Sequence, residues 1–462
     1  MIGDTIAAIS TPYGKGGVAL LRVSGDRAIR ICERVFHPYS GKALFEIPAR
    51  QAVYGAIFAP DEEGVWRSVD DGIATVFTAP ASFTGEDTVE ISCHGGILLT
   101  ETVLSALLAA GARQAEAGEF TRRAFLNGKL GLSAAEALGN ILEAQSTEQL
   151  ALAHSGMRGR VEAKCDEIYT SLRGVLASIF AVIDYPDEDL ADMSREEMIA
   201  SLQSSKEQVV ALAKTYRTGH AIAEGISTVI CGRPNVGKSS LYNLLVGRDA
   251  AIVTEIEGTT RDVLSERVTL GRVMLRLSDT AGLHKTEDVV EQIGIERAKR
   301  EMKDAELILA LFDGSQAATE EDLELLDELS AQAAEVILLL NKSDLGGFED
   351  PAYRERFEHV IPFSAKRGAG LDALKRTVEE LFTDGRIDTR QDAVLANARQ
   401  YGAAQAALEA LRRSIDGLQS GLAVDLCCVD VEMAMSALSE LDGRAVSEDI
   451  VSEIFSHFCV GK

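Results

Sequence analysis

The sequence is short of positive charge. Its 462 residues include 46 Lys and Arg against 72 Asp and Glu, which gives a net charge of −26 near neutral pH. Such a balance is unsuited to gripping a phosphate backbone over a broad surface, because that grip depends on Lys and Arg. If nucleic acid is a ligand, a local patch or a partner protein must make the contact. The commoner meaning of such acidity is solubility.

Other features are missing as well. No apolar run is long enough to span a bilayer, and the first residues, Met1–Asp4, lack the basic region of a secretory signal peptide. The seven cysteines are scattered and include no C-x-x-C pair, which argues against a disulfide scaffold or a zinc site. These absences predict a cytoplasmic protein without a membrane segment, and the length suggests about three domains.

One stretch meets the requirements of a phosphate site. Residues 232–239 read G-R-P-N-V-G-K-S, follow an apolar run (226–231) and precede a helical pattern (240–246). In this strand–loop–helix context, backbone N–H groups curl around phosphate oxygens, and the helix N-terminus favours an anion. Lys238 is predicted to reach the β- and γ-phosphates, and the Ser239 hydroxyl to hold Mg²⁺.

Two further motifs predict contacts near the γ-phosphate. Residues 279–282 (D-T-A-G) end a predicted strand, 273–278, and open α/β sheets bind ligands at such carboxyl ends. Their aspartate can hold Mg²⁺ through water, and the Gly282 N–H can sense a γ-phosphate. Residues 258–262 (G-T-T-R-D) lie where a switch loop belongs, and Thr260 is the candidate second hydroxyl ligand of Mg²⁺.

Two motifs predict a guanine base. Residues 341–344 (N-K-S-D) end a very apolar predicted strand, 336–340. The Asp344 carboxylate can accept parallel bonds from guanine N1–H and N2–H₂, a pair that adenine does not offer. Because an unpaired buried acceptor costs about 1–3 kcal/mol, Asp344 is predicted to select GTP over ATP. Residues 364–366 (S-A-K) end the last predicted strand, 359–363, where a backbone N–H can meet guanine O6.

Two positions in this set depart from Ras-like enzymes. Leu283 stands where those enzymes place the glutamine that orients water, and leucine cannot do so. Either the domain binds nucleotide without hydrolysing it, or another residue orients water. Asn235 lies inside the phosphate loop, where its amide oxygen can ligate an extra cation that does the work of an arginine finger. The alternative is an asparagine that stabilises a tight turn.

The remaining residues flank this α/β module, which is predicted to span residues 221–382. Residues 1–120 are predicted to be mixed β with some helix, and residues 121–220 and 383–462 to be helical. The two helical stretches are either separate domains or one domain into which the module is inserted. Amphipathic pattern alone does not separate these alternatives.

Stretches outside the module narrow the family. They are residues 11–25 (T-P-Y-G-K-G-G-V-A-L-L-R-V-S-G), 82–87 (S-F-T-G-E-D) with the H-G-G at 94–96, 118–130 (G-E-F-T-R-R-A-F-L-N-G-K-L) and the terminal F-C-V-G-K at 458–462. The nucleotide motifs alone resemble translation-factor-like GTPases. With these stretches added, the chain resembles the tRNA-modification GTPase MnmE (TrmE) family nearly from end to end.

The resemblance implies an architecture and a reaction. Residues 1–120 would bind tetrahydrofolate and form a homodimer, and the GTPase domain (221–382) would be inserted in one helical domain built from both flanks. With an FAD-dependent MnmG (GidA)-like partner, the family modifies C5 of the wobble uridine in certain tRNAs, installing an aminomethyl or carboxymethylaminomethyl group. A 5-formyl- or methylene-tetrahydrofolate supplies the one-carbon unit. GTP hydrolysis, which needs Mg²⁺ and K⁺, drives a conformational change.

The resemblance also implies residue roles. Glu291 matches the glutamate that orients water through a relay, which answers the question raised by Leu283. Backbone carbonyls of Thr254 and Ile256 would join Asn235 at the potassium site. The implied catalytic residues are Glu291, Lys238 and Thr260; the Mg²⁺ ligands are Ser239 and Thr260; the K⁺ ligands are Asn235, Thr254, Ile256 and Thr259; the formyl-tetrahydrofolate contacts are Arg22, Glu90, Lys129 and Lys462. The implied GTP contacts are Asn235, Val236, Gly237, Lys238, Ser239, Ser240, Thr254, Glu255, Ile256, Glu257, Gly258, Thr259, Thr260, Asp279, Thr280, Ala281, Gly282, Asn341, Lys342, Asp344, Ser364, Ala365 and Lys366.

Alternatives stay open at several of these positions. Without the resemblance, Glu291 is a solvated helix residue, and the four folate candidates are ordinary surface charges. Cys459 is a candidate nucleophile or a small residue near the folate pocket. Glu257 is charged where a small residue or proline is common. Two rival functions are considered. A regulatory RNA-binding GTPase of ribosome assembly should carry a basic RNA-binding module, which the acidic balance of this chain opposes. A stand-alone folate-dependent methyl carrier enzyme is opposed by the intact nucleotide motifs.

Overall fold

The chain forms two compact units. The structure is a computed structural model that describes residues 4–184, 193–249, 266–278, 301–347, 351–456 and 458–461. One unit comprises Met1–Gly139 with Asp442–Lys462, and the other Asn140–Leu441. The four-part domain division expected from the sequence stays a prediction at the level of its bounds.

The described residues form strands and helices in a mixed order, with alternation only in the α/β module. The strands are β1 Ile6–Ile9, β2 Val18–Ser24, β3 Phe36–Pro38, β4 Ala52–Pro60, β5 Trp66–Phe77, β6 Thr88–His94, β7 Arg113–Gln114, β8 Ile226–Gly232, β9 Glu266–Leu270, β10 Val273–Leu277, β11 Leu307–Asp313, β12 Glu335–Asn341 and β13 Val360–Pro362. The helices are α1 Ala28–Val35, α2 Ile97–Ala109, α3 Glu119–Leu126, α4 Leu132–Glu143, α5 Thr147–Met157, α6 Arg160–Asp184, α7 Arg195–Lys214, α8 Tyr216–Ala223, α9 Lys238–Asp249, α10 Glu320–Ser330, α11 Pro351–Arg356, α12 Leu371–Phe382, α13 Ala398–Gln419, α14 Val424–Leu441 and α15 Glu448–Ser456.

The first unit is organised on a mixed sheet. Its described strands lie in the order β3-β4-β5-β6-β2-β1-β7, and all neighbours except β1 and β7 are antiparallel. Strand β2 alternates buried Leu21 and Val23 with more accessible residues, as expected when one face covers a core. That core also takes Ile31 from α1 and Leu107 from α2. The long β4–β5 hairpin is absent from the sequence-based prediction.

The C-terminal residues belong to this same unit. Val451 and Phe455 of α15 pack with Leu132 and Ala135 of α4. Residue 460 forms a β-bridge with residue 117, and the Ser10 hydroxyl donates to the Gly461 carbonyl at 3.0 Å. The end of the chain is therefore held against the β1–β2 region of the N-terminal sheet.

The second unit contains one helical core drawn from both sides of the α/β module. Helices α6 and α7, which precede the module, pack with α13 and α14, which follow it; Leu172, Val209, Leu411 and Leu438 lie in this shared core. Two of these helices start at side-chain caps, where Ser194 accepts from the Glu197 N–H and Asn397 from the Gln400 N–H. A core built from both flanks decides between the two sequence-based alternatives: the α/β module is inserted in a helical domain.

The inserted module is a doubly covered, mostly parallel sheet. Its described strands lie in the order β13-β12-β11-β8-β10-β9, and only the β9–β10 pair is antiparallel. Strands β11 and β12 are almost continuously buried, which is typical of central parallel strands covered on both faces. Helices α9 and α12 cover one face, and α10 and α11 the other. The predicted strands of the module are confirmed, and β9 is an addition.

A titratable cluster joins α8 to the module within this unit. His220 lies 3.1 Å from Glu306 and 3.2 Å from Glu224 through its two ring nitrogens, and Glu306 also accepts from the Ser227 N–H. Hydrogen bonds to Glu224 and Glu306 raise the pKa of His220 to about 9. The imidazolium form therefore stabilises the junction at neutral pH.

Within the described residues, no helix has the length and apolarity needed to cross a membrane.

Candidate functional site

The phosphate loop joins the end of β8 to the start of α9. Gly232 and Gly237 have φ of +139° and +108°, and Asn235 has φ of +61°. A Cβ on Gly237 would lie 2.2 Å from the Asn341 side-chain nitrogen, so only glycine fits there. Asparagine tolerates the left-handed region better than most residues. This conformation fits the turn-forming interpretation of Asn235, and its exposed position leaves the cation interpretation open.

Lys238 closes this loop from the inside. Its Nζ donates to the carbonyls of Gly232 at 2.7 Å and Arg233 at 2.8 Å. Burial lowers the pKa of Lys238. Ser239 and Ser240 follow in the first turn of α9 with exposed side chains, next to the unpaired N–H groups of the helix start. An ammonium, two hydroxyls and a helix N-terminus thus converge where phosphates are predicted to bind.

Asn341 connects the phosphate loop to the base-binding loops. It is 4% exposed at the end of β12, and its Nδ2 donates to the Val236 carbonyl at 2.6 Å. Its Oδ1 accepts from the Ala365 N–H at 2.8 Å. One buried amide therefore holds three of the predicted nucleotide motifs together, at the carboxyl edge of the parallel sheet.

Asp344 is placed as an ionised acceptor. Its Oδ1 accepts from the Ser364 hydroxyl at 2.7 Å, and Arg367 lies 3.7 Å from its Oδ2. The Ser364 hydrogen bond is the main cause of a lowered pKa of Asp344. Neighbouring Lys342 has φ of +65°, and Lys366 is exposed. A carboxylate held in this way offers two oxygens to a base that presents adjacent donors.

Two contacts beside these motifs are absent from the sequence-based prediction. Asp313, at the end of β11, accepts from Lys342 Nζ at 2.7 Å. Arg233 of the phosphate loop contacts Thr319 and lies 2.7 Å from Glu321. The T-E-E-D run at 319–322 is a sequence signal for a capped helix start, which the structure bears out, but nothing in the sequence indicates that Arg233 reaches it.

Part of the predicted nucleotide site lies outside the described residues. This part holds the predicted switch-loop K⁺ and Mg²⁺ ligands and the predicted water-orienting residue. The predicted residues concerned are Thr254, Glu255, Ile256, Glu257, Gly258, Thr259, Thr260, Asp279, Thr280, Ala281, Gly282 and Glu291, together with Lys462 of the folate set.

The described folate candidates lie in the first unit. Arg22 of β2 and Glu90 of β6 are direct cross-strand neighbours, and Arg22 Nη2 lies 2.8 Å from Glu90 Oε1. The Arg22 guanidinium stands 5.3 Å from the centre of the Phe83 ring and 5.7 Å from that of Phe120. Lys129 Nζ donates to a backbone carbonyl of the loop that carries Phe83, at 2.8 Å. The structure thus brings an ion pair, two aromatic rings and a lysine to one region.

These features define a class of protein. A parallel sheet with a glycine-rich phosphate loop, an N-K-x-D base loop and an S-A-K loop at its carboxyl edge is the nucleotide-binding domain of a P-loop GTPase. Here that domain is inserted in a helical domain. Family models place the chain more narrowly: the MnmE helical domain matches residues 132–459, and the N-terminus of the GTP-binding protein TrmE matches residues 5–129.

The chain belongs to the MnmE family of tRNA modification GTPases. It is 41% identical over 461 residues to the MnmE of Lactobacillus delbrueckii subsp. bulgaricus, covering 99% of this chain and 98% of the relative. It is 40% identical over 471 residues to that of Heliobacterium modesticaldum, covering 100% of each. Among solved structures, the FeoB G-domain of Methanococcus jannaschii is 26% identical and covers 34% of this chain and 98% of its own, with a TM-score of 0.26.

Proposed function

We propose that this chain is a potassium-activated GTPase that acts in the C5 (carboxymethyl)aminomethyl modification of the wobble uridine of certain tRNAs. It would act as a homodimer with an FAD-dependent MnmG-like partner and use a tetrahydrofolate one-carbon unit. The observation that carries this proposal is the Asn341 hub, which joins the phosphate loop to the guanine-binding loops in a member of this family.

GTP binding follows from what the described residues can do. The backbone N–H groups of the phosphate loop and the start of α9 bind phosphate oxygens. Lys238 exchanges its two carbonyl partners for β- and γ-phosphate oxygens, which are stronger acceptors because they are charged. Asp344 accepts from the guanine edge, while the Ser364 hydroxyl holds the carboxylate in place. A backbone N–H of residues 364–366 would donate to guanine O6.

The same loop fits two cations. Ser239 presents its hydroxyl at the first turn of α9, as a Mg²⁺ ligand beside the phosphates would, with Thr260 as the second hydroxyl. Asn235 is exposed on the loop, and its amide oxygen fits K⁺ together with carbonyls of Thr254 and Ile256. Bound cations supply positive charge against the phosphate oxygens. Glu291 would then orient the attacking water in place of the glutamine that Leu283 replaces.

The first unit fits a folate. Arg22 and Glu90 offer a guanidinium and a carboxylate, and the Arg22 guanidinium lies near the rings of Phe83 and Phe120, which suits a ligand that carries charged groups and a flat heterocycle with hydrogen-bonding edges. Arg22 and Lys129 are the candidate partners of the glutamate tail, and Glu90 is the candidate partner of the pterin ring; Lys129 donates to a carbonyl of the neighbouring loop. In the structure Arg22 and Glu90 bond each other, so folate binding would have to rearrange or share that pair.

The rate of GTP hydrolysis in KCl and in NaCl at equal ionic strength tests the cation role. We expect strong activation by KCl alone. Asn235→Gly keeps a residue suited to positive φ but removes the amide oxygen, so it should lose potassium activation and still bind GDP. Equal wild-type rates in both salts would contradict the proposal. Full potassium activation of Asn235→Gly would show that the amide oxygen does not bind K⁺ and that Asn235 serves only to form the turn.

A further inference from the structure

A segment without any nucleotide motif contacts both nucleotide loops. Residues 313–322, called the clamp segment here, run from the end of β11 to the first turn of α10. At one end, Asp313 accepts from Lys342 of the base loop at 2.7 Å. At the other end, Thr319, Glu321 and Asp322 contact Arg233 of the phosphate loop. The segment therefore bridges the two loops.

The phosphate-loop end is an ionic contact. Arg233 lies 2.7 Å from Glu321 and 3.5 Å from Asp322, and an Arg233 N–H donates to the Thr319 hydroxyl. Asp322 is itself buried and accepts from the Thr319 N–H at 3.0 Å and from its hydroxyl at 2.8 Å. A capping box fixes Thr319 and Asp322 at the start of α10, so two of the three groups that contact the guanidinium are held in place.

This contact reaches the phosphate site through the backbone of Arg233. The carbonyl of Arg233 accepts from Lys238 Nζ at 2.8 Å, so the side chain of Arg233 faces the clamp while its peptide faces the phosphate-binding lysine. Rotation of this peptide would move both the loop N–H groups and the rest position of Lys238. The side chain itself points away from the phosphates and acts through the loop.

The base-loop end holds a strained residue. Lys342 has φ of +65°, a conformation that a non-glycine residue adopts only when its surroundings enforce it. Asp313 accepts from the Lys342 ammonium through one oxygen, and its other oxygen accepts from the N–H and hydroxyl of Ser315. In addition, the Gly314 N–H donates to the Asn341 carbonyl at 2.7 Å. The base loop is thus held from two sides.

We propose that the clamp segment sets the spacing between the phosphate loop and the base loop, and that Arg233 and Asp313 are positioning residues for GTP. The inference rests on GTP binding as proposed above; it adds Asp313, which lies outside every nucleotide motif, and gives a role to Arg233, at a variable position of the phosphate loop. Arg233 positions the groups that hold the β-phosphate, whereas Asp313 positions the groups that hold the base.

Competition of GDP and GMP against a fluorescent GDP, at fixed KCl and Mg²⁺, tests this division. Arg233→Met should weaken GDP about tenfold and leave GMP, which lacks the β-phosphate, within about twofold of wild type. Arg233→Lys keeps the charge but not the planar fork, so it should recover part of the loss. Asp313→Asn should weaken GDP and GMP by the same factor, about fivefold.

Two further variants control the experiment. Thr319→Val removes the hydroxyl acceptor of Arg233 and the cap of α10 but keeps Glu321, so it should reproduce part of the Arg233→Met pattern, and the double variant should lose little more than Arg233→Met alone. Arg412→Met removes an exposed ion pair with Glu409 in the helical domain and should bind both nucleotides as wild type does.

The outcomes separate the clamp from the wider function. Wild-type GDP affinity in folded Arg233→Met, or equal losses of GDP and GMP in that variant, would overturn the clamp. Additive losses in the Arg233 and Thr319 double variant would overturn the contact that it depends on. A wild-type chain that binds no GDP would overturn the proposed function itself, and this inference with it.

Discussion

Replacement of Asn341 by alanine should dismantle the nucleotide site from its centre. The substitution removes the donor to the Val236 carbonyl and the acceptor of the Ala365 N–H, which lie 2.6 and 2.8 Å from the amide. Val236 and Ala365 are 5% and 6% exposed, so their backbone groups are poorly placed to find water. Each buried group left unpaired costs about 1–3 kcal/mol, which gives about 2–6 kcal/mol for the pair.

A matched control separates this local effect from general destabilisation. Asn397→Ala removes a single capping bond, to the Gln400 N–H at 2.9 Å, at the start of α13 in the helical domain. It should lower stability by about 1 kcal/mol and leave nucleotide affinity unchanged. Asn341→Ala should instead lower the midpoint temperature of the calorimetric unfolding transition that GDP raises. It should also weaken GDP binding more than tenfold, since a loss of about 1.4 kcal/mol corresponds to tenfold in affinity.

The refuting result is specific. If Asn341→Ala shifts the melting transition no more than Asn397→Ala and keeps GDP affinity within about twofold, the two loops do not depend on the Asn341 amide. The description of the site as one hub would then be wrong.

Three other perturbations follow from the geometry. Asp344→Asn places donors against guanine donors and should cost GTP at least about 10²-fold in affinity while favouring xanthosine triphosphate, as measured by competition binding. His220→Gln should have a lower free energy of unfolding than wild type at pH 6, where the charged imidazole of His220 contributes in full, and the difference should vanish as pH rises through the raised pKa of His220, about 9. Thermal unfolding measured across this pH range checks the expectation. A difference that does not depend on pH would contradict the ion pairs. Gly461→Ala should displace residues 460 and 461, because its Cβ would lie 2.3 Å from the Ile9 carbonyl at φ of +99°. Folate binding, measured by calorimetry, should weaken while the rate of GTP hydrolysis stays the same. Unchanged folate binding would show that this part of the chain does not contribute to the folate site.

The sequence predicts the module well because its signals are local. Continuous apolar strands such as 336–340 and the G-x-x-x-x-G-K-S loop are specified by neighbouring residues, and their order fixes which edge of the sheet carries the site. The amphipathic pattern alone leaves the insertion of the module open, and only the resemblance to the family implies it, because a helical pattern does not tell which distant helix covers its apolar face. The shared core of Leu172 and Leu411 supplies that information.

Contacts between residues that lie far apart in the chain are not predicted from the sequence. The β4–β5 hairpin is long, and its pairing has a register shift between Ile57 and Phe58. Strand β9 is recognisable only through its antiparallel partner β10. The contacts of Arg233 with α10 and of Asp313 with Lys342 join residues that lie dozens of positions apart, and charge patterns do not indicate such pairs. The cross-strand bond of Arg22 to Glu90 is of the same kind.

The wobble nucleosides of tRNA test the central claim most directly. We would delete the gene, complement it with wild-type protein or with Asn341→Ala, and quantify C5-modified wobble uridine by mass spectrometry. The account predicts loss of the modified nucleoside on deletion, recovery with wild type and no recovery with a folded Asn341→Ala protein. Fully modified tRNA in the deletion strain, with ribosomal subunits accumulating instead, would contradict it and favour a GTPase of ribosome assembly.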